Sequence, residues 1–397
     1  MAINNMLKPG EPRHVTVLGS TGSVGCNTVD LLLRDREAFT VEALAAGSNV
    51  TLLIEQALAL RPAFVAMADP SARDALEAGL AGTGIAFAVG PEAVIEAAER
   101  PSDWVMAAIV GAAGLSSTLA AIRRGVIVAV ANKECLVCAG DLVMAETKRS
   151  GATLLPVDSE HSAIYQVFDF AQRDSIERII LTASGGPFRE ADLAHMRKVT
   201  PAEAVAHPNW SMGAKISIDS ATMMNKGLEL IEAHYLFDMP ESRIDVLVHP
   251  QSVIHSMVSY IDGSVLAQLG SPDMRTPIAY ALGWPRRIAA PAARLDLAAL
   301  SRLTFEQPDP KRFPALRLAR TALQSGGGAP TILNAANEVA VRHFLERNIG
   351  FLDIADIVEE TLSVIDGGRV TSLAEILELD RQSRDRAGRL VERCVAR

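Results

Sequence analysis

Between residues 14 and 130, short apolar runs alternate with alanine-rich helical stretches. The runs fall at 14–18, 41–46, 64–67, 85–89, 104–110 and 127–130. Repeated strand-helix units of this kind imply a mostly parallel, doubly wound sheet. The first run leads directly into Gly19-Ser20-Thr21-Gly22-Ser23-Val24-Gly25, and 28–34 then reads as a helix. Glycines between a first strand and a first helix let backbone N–H groups approach a pyrophosphate at the helix N-terminus. The spacing is G-x-x-G-x-x-G rather than the commoner G-x-G-x-x-G, so the strand-turn-helix context carries the reading. The alternative is a turn that only packs helix on strand. The second run ends in Gly47-Ser48-Asn49. An NAD enzyme would place Asp or Glu there for the ribose 2′-hydroxyl. None is present, which favours NADP; Ser48 and Asn49 can donate to a 2′-phosphate, but no cation sits beside them.

Size allows two or three domains in 397 residues. Hydrophobic residues at 49% and charged residues at 21% describe a well-buried globular chain. The net charge of −9 argues against a nucleic-acid binder. An anionic substrate must therefore be held by local donors. Cys135-Leu136-Val137-Cys138 has redox or zinc spacing but no second pair. Reduced, structural cysteines are the simpler reading, in keeping with a cytoplasmic compartment. Residues 1–13 carry no apolar signal core, and the run 104–115 is too short to span a membrane, so no membrane association is expected.

The run Leu154-Leu155-Pro156-Val157 ends in Asp158-Ser159-Glu160-His161. Ligands of open α/β sheets bind at the carboxyl ends of strands, where Asp158 and Glu160 emerge. Two hard oxygen donors this close suit Mg²⁺ or Mn²⁺. The competing reading is a helix N-terminus, with Asp158 or Ser159 as the cap and Glu160 favoured by the helix dipole.

Residues 151–290 differ in texture. A strand at 176–182 leads to Ala183-Ser184-Gly185-Gly186-Pro187-Phe188. The breaker-rich segment 185–213 that follows is too long for a plain connection. It reads as an active-site lid, hinged at Gly185, Gly186 and Gly213, with Trp210 and Met212 closing over substrate. Beyond it, Ser220 reads as a helix cap. Asn225, Lys226 and Glu229 share one helical face, and Gly227 makes sense where a ligand or another backbone approaches. Strands at 244–248, 253–261 and 265–269, the last two joined at Asp262-Gly263, suggest antiparallel pairing. His249 and His255 read as structural histidines rather than ligands. Prolines mark a linker at 291–312, and the pattern from 313 is helical, with Asn334-Ala335-Ala336-Asn337-Glu338 lining one helix. The expected architecture is α/β: an N-terminal Rossmann-like doubly wound parallel sheet (1–150), a central α+β catalytic domain (151–290) and a C-terminal helical domain (313–397).

These motifs resemble the 1-deoxy-D-xylulose 5-phosphate reductoisomerase family. The resemblance rests on the glycine turn, Ala131-Asn132-Lys133-Glu134, Pro156-Val157-Asp158-Ser159-Glu160-His161-Ser162-Ala163, the run from His207 to Glu229, and Val248-His249-Pro250-Gln251-Ser252-Val253-Ile254-His255-Ser256-Met257. It implies a homodimeric enzyme that converts 1-deoxy-D-xylulose 5-phosphate to 2-C-methyl-D-erythritol 4-phosphate with NADPH and a divalent metal, in the non-mevalonate route to isoprenoids. It further implies Asp158, Glu160 and Glu229 as metal ligands. Lys133, Ser159, Ser184, His207, Ser220, Asn225 and Lys226 match substrate positions. Thr21, Gly22, Ser23, Val24, Asn132, Glu134 and Gly213 match NADPH positions, with Gly47, Ser48 and Asn49 at the adenosine end. Ser48 stands where the family commonly has lysine, which weakens the charge argument for the 2′-phosphate. Cys135 stands where serine is usual.

The chemistry accounts for such groups. An α-hydroxyketone can chelate one cation through adjacent oxygens, and a carboxylate-held dication stabilises a developing alkoxide or enolate. Lys133 is the nearest cation to offset three carboxylates. Two other classes compete: another NADP-dependent oxidoreductase acting on a phosphorylated sugar or aldehyde, and a non-catalytic NADP-binding sensor. A semialdehyde dehydrogenase would need a catalytic cysteine within 151–290, where there is none. A sensor has no use for three convergent carboxylates.

Overall fold

The computed structural model describes residues 11–206 and 213–395. Two compact units emerge. The first takes the chain up to Cys135, then 143–162 and 273–292; the second takes 136–142, 163–272 and 293 onward.

The first unit is built on a seven-stranded sheet. Its strands are β1 (Arg13–Leu18), β2 (Phe39–Ala46), β3 (Phe64–Met67), β4 (Ala86–Val89), β5 (Trp104–Ala107), β6 (Ile127–Val130) and β7 (Thr153–Pro156). They lie in the order β4-β3-β2-β1-β5-β6-β7, and every pairing is parallel. The chain winds outward from β1 to β4 and then returns to place β5 against the other side of β1. The topological switch point, where ligands of such sheets bind, therefore lies between β1 and β5. The strands β3, β5 and β6 are buried along their whole length, as central strands covered on both faces must be.

The strand leading to Asp158 is the edge of this same sheet: Val130 of β6 pairs with Pro156 of β7. The segment 273–292 also returns here. Its helix Arg275–Gly283 ends beside Trp104, whose indole N–H donates to Ala281 O at 3.0 Å. Arg13, 1% exposed, donates to Trp284 O at 2.8 Å and to Leu282 O. Burial pulls its guanidinium below the usual range, so these carbonyls are what make its place in the core tolerable.

The second unit holds a four-stranded sheet of β8 (Ile176–Ala183), β9 (Ile244–Val248), β10 (Ile254–Tyr260) and β11 (Val265–Leu269), in the order β11-β10-β8-β9. β10 runs antiparallel to β8 and β11, and β8 is parallel to β9. The turn between β10 and β11 falls at Asp262 and Gly263, with Asp262 Oδ1 accepting from Ser264 N–H at 2.8 Å. The helix Met224–Phe237 shares one continuous core with this sheet and with four later helices, Ala315–Ser325, Ala329–Leu345, Asp353–Val364 and Leu373–Val395. The helical region thus has no separate apolar core: Leu228 and Ile231 belong to the same cluster as Leu318 and Leu333.

Cys135 and Cys138 are buried in the helix Lys133–Ser150, and none of the four cysteines forms a disulfide. Cys135 Sγ instead reaches Thr118 Oγ1 at 3.6 Å, a core thiol contact. Among the described residues, no helix is long and apolar enough to cross a membrane.

Candidate active site

At the end of β1 the chain turns on Gly19, at φ +84°. A Cβ there would stand 2.5 Å from the carbonyl oxygen of Ala108, just after β5, so only glycine lets the two strand ends approach this closely. A Cβ on Gly25 would run into the carbonyl of Gly19. The helix Ser23–Arg34 starts from Gly22, which caps it without any side-chain hydrogen bond. Its first N–H groups are therefore left for a ligand at the switch point. Thr21, Gly22, Ser23 and Val24 all reach solvent at this end, as an anion cradle requires.

One residue of this cradle carried no sequence signal. Gln56 is 5% exposed and donates through Nε2 to Ser20 O at 2.9 Å, bracing the turn from the next helix. After β2, Gly47, Ser48 and Asn49 are exposed. Asn49 Oδ1 accepts from Leu52 N–H at 3.2 Å and caps the helix Val50–Leu60, which leaves its amide nitrogen to donate outward. Asn132 begins the helix Lys133–Ser150 but spends its side chain elsewhere: Nδ2 donates to Gly111 O at 3.0 Å, tying the end of β6 to the loop after β5. Glu134 lies buried in the first turn of that helix.

Beside β6, the edge strand β7 delivers Asp158 to the head of the helix Ser159–Val167. Asp158 is a cap: its carbonyl accepts from Ser162 N–H at 2.8 Å, and Oδ1 accepts from Glu160 N–H at 3.2 Å. It is not only a cap, because Oδ2 faces the Lys133 ammonium at 2.7 Å, with both side chains largely buried. A carboxylate oxygen of Asp158 and one of Glu160 lie within 4.8 Å of each other, and Ser159 Oγ donates to Glu160 Oε2 at 2.6 Å. These are hard, anionic oxygens at a strand end, the donor chemistry that Mg²⁺ and Mn²⁺ take. His161 joins them. It is fully buried, with Nδ1 3.6 Å from Asp158 Oδ1. The signal for it was present in the sequence, since a residue three after Asp158 on a helix returns to the same face.

In the second unit, Asn225, Lys226 and Glu229 do share one face of the helix Met224–Phe237. Glu229 is completely buried and takes hydrogen bonds from both Lys226 Nζ and Asn225 Nδ2. A buried carboxylate held by two donors on its own helix is pre-oriented rather than mobile. Ser184 follows β8, and its Oγ accepts from Gly186 N–H at 3.2 Å. Gly186 in turn packs on Ser220: a Cβ there would stand 2.8 Å from Ser220 O.

One expectation changes, and one open alternative is decided. Ser220 is not a helix cap; it lies in the last turn of the helix Ala214–Ala221, and the next helix begins after Met223, at φ +64°. Gly227 makes room for a helix rather than for a ligand, since a Cβ there would stand 2.8 Å from Ala319 Cβ and 3.3 Å from Ala315 O. Gly213 caps the helix Ala214–Ala221 with extended backbone and open space around it. His207, Trp210 and Met212 lie outside the described residues. His249 is structural: Nδ1 meets Thr304 O at 2.9 Å, Nε2 accepts from Val253 N–H at 3.3 Å, and the ring stacks on Phe305.

Comparison with known proteins matches most of the chain. The family model described as 1-deoxy-D-xylulose 5-phosphate reductoisomerase matches residues 15–140. Its C-terminal domain model matches 154–237, and the DXP reductoisomerase C-terminal domain matches 269–386. The 1-deoxy-D-xylulose 5-phosphate reductoisomerase of Rhodospirillum centenum is 65% identical over 96% of this chain and 94% of its own. That of Zymomonas mobilis is 55% identical over 96% of this chain and 98% of its own. The solved Zymomonas mobilis enzyme, in complex with NADPH, superposes with a TM-score of 0.92 at 53% identity, covering 96% of this chain and 100% of that one. A DOX-P reductoisomerase in complex with NADPH, fosmidomycin and magnesium superposes at 0.91 with 45% identity, over 96% of this chain and 98% of that one. The chain belongs to the 1-deoxy-D-xylulose 5-phosphate reductoisomerase family.

Proposed function

We propose that this chain converts 1-deoxy-D-xylulose 5-phosphate to 2-C-methyl-D-erythritol 4-phosphate, using NADPH and a divalent metal, in the non-mevalonate route to isoprenoids. The observation that carries this reading is Lys133 against Asp158, with Glu160 beside them, at strand ends of the sheet whose first turn is shaped for a pyrophosphate. Asp158, Glu160 and Glu229 hold Mg²⁺ or Mn²⁺. Ser159, Ser184, His207, Ser220, Asn225 and Lys226 bind the substrate together with Lys133. Thr21, Gly22, Ser23, Val24, Asn132, Glu134 and Gly213 bind NADPH, and Gly47, Ser48 and Asn49 meet its adenosine end. Trp210 and Met212 form the lid.

When bound, the cation supplies Lewis acidity to adjacent substrate oxygens and NADPH supplies the hydride. Three carboxylates overcompensate a dication, and the Lys133 ammonium offsets the excess and holds a proton beside the substrate oxygens. Lys226 and Asn225 keep Glu229 aimed while the rearrangement moves charge among the oxygens. Hydroxyls at Ser184 and Ser220 and helix N–H groups orient the phosphate away from the reacting carbons.

The four thiols, none in a disulfide, support a cytoplasmic location, and the family resemblance supports a homodimer. The test is NADPH absorbance with 1-deoxy-D-xylulose 5-phosphate, with and without Mg²⁺. Oxidation only with both sugar phosphate and metal is expected. Metal-independent oxidation, or none, sinks the reading.

A further inference from the structure

The helix Ala214–Ala221 is barely two turns long, yet it contains a buried carboxylate. Asp219 is 1% exposed. Its Oδ1 accepts from Asn337 Nδ2 at 2.8 Å, across 118 residues of sequence, and its Oδ2 pairs with Lys215 Nζ at 2.7 Å. Asn337 is fully buried on the helix Ala329–Leu345, and its Oδ1 has no partner among the described residues. Among the described residues, Asp219 is therefore the one hydrogen-bond partner of that side chain. Buried polar and ionic contacts seldom out-stabilise well-packed apolar ones; their best-attested use is to fix register.

Register is what matters here. Consecutive residues stand about 100° apart around a helix, so the direction of Asp219 sets that of Ser220. Asp219 points inward to Asn337, and Ser220, the next residue, is partly exposed. The tight packing of Gly186 on Ser220 O holds the helix backbone from another side. We propose that the Asp219–Asn337 hydrogen bond is a positioning device that fixes the rotation of this short helix and so aims Ser220 at the substrate phosphate; this rests on the phosphate role given to Ser220 above.

The test uses the full chain with NADPH and Mg²⁺. Asn337→Ala and Asn337→Leu, which remove the donor to Asp219 Oδ1, each raise KM for 1-deoxy-D-xylulose 5-phosphate about tenfold, as a small misplacement of a binding group does. KM for NADPH and kcat at saturation change less than about threefold. The exchanged pair, Asp219→Asn with Asn337→Asp, rebuilds the bond with its polarity reversed and brings KM back. A lower Tm with unchanged KM marks a purely structural contact and overturns the proposal. A raised KM that the exchange leaves raised shows that restoring the bond does not restore the aim of Ser220 and overturns it too. Ser220→Ala, run alongside, separates the two readings. If it leaves KM unmoved, the phosphate role of Ser220 fails; if it alone raises KM, the positioning device fails. Should Asn337→Ala not fold, Asn337→Leu, close to Asn in size, carries the test.

Discussion

Lys133 Nζ sits 2.7 Å from Asp158 Oδ2, although the two residues come from different strand-helix connections. Lys133 opens the helix after β6, and Asp158 follows β7. The parallel pairing of those strands alone places them side by side. The contact sets an ammonium against one carboxylate of the Asp158–Glu160 pair.

Replacing Lys133 with Met removes that charge and keeps the stem. kcat is expected to fall about 100-fold or more, the usual cost of losing one pre-organised electrostatic group. The Mn²⁺ dissociation constant is expected to stay level or tighten, because the competing cation has gone. Turnover together with a Mn²⁺ titration checks both; weaker Mn²⁺ binding would show that Lys133 instead orients Asp158.

Glu229→Gln keeps the shape and a carbonyl acceptor for Asn225 but removes the charge. Metal-dependent turnover is expected to drop at least about 100-fold. NADPH affinity, read by fluorescence, is expected to hold. Normal kcat at saturating Mg²⁺ would remove Glu229 from the ligand set.

The turn after β1 makes a sharper demand. Gly19→Ala forces a Cβ toward the Ala108 carbonyl at a positive φ. The expected loss is about 2 kcal/mol of stability with a raised KM for NADPH. Denaturation midpoints and cofactor kinetics read this out, and an unshifted midpoint would contradict the close approach.

Ser48, proposed to meet the adenosine end of NADPH, is exposed. Ser48→Lys is expected to raise the ratio of kcat/KM for NADPH over NADH about tenfold, since a hydrogen bond to a charged group contributes about 1.5–3 kcal/mol. An unchanged ratio would move the 2′-phosphate away from residue 48.

Alkaline stability offers a further check. Burial, with Asp141 adding to it, pushes the Tyr235 phenol up to about 12 from an ordinary value of 10.0. The folded state thus favours the neutral phenol. That contribution is whole below pH 10 and is lost as pH rises from about 10 through about 12. Tyr235→Phe is expected to flatten this part of the Tm-against-pH curve; equal slopes in both proteins would contradict it.

The strand-helix alternation, the glycine turn, the acid pair after Pro156, the shared face of Asn225, Lys226 and Glu229, and the hairpin at Asp262 and Gly263 were all legible in the residues. Each is a local pattern, set by backbone sterics or side-chain period over one or two turns of chain. What the tertiary structure decided lies beyond that range. It made the strand before Asp158 the edge of the first sheet, because β6 offered it a parallel partner. It returned 273–292 to that sheet, because the Arg13 guanidinium and the Trp104 indole needed buried carbonyls. It turned Asp219 inward to Asn337, and it set Ser220 inside a helix rather than at a cap. Hydrogen-bond satisfaction and burial are settled between segments distant in sequence, and no local spacing records them.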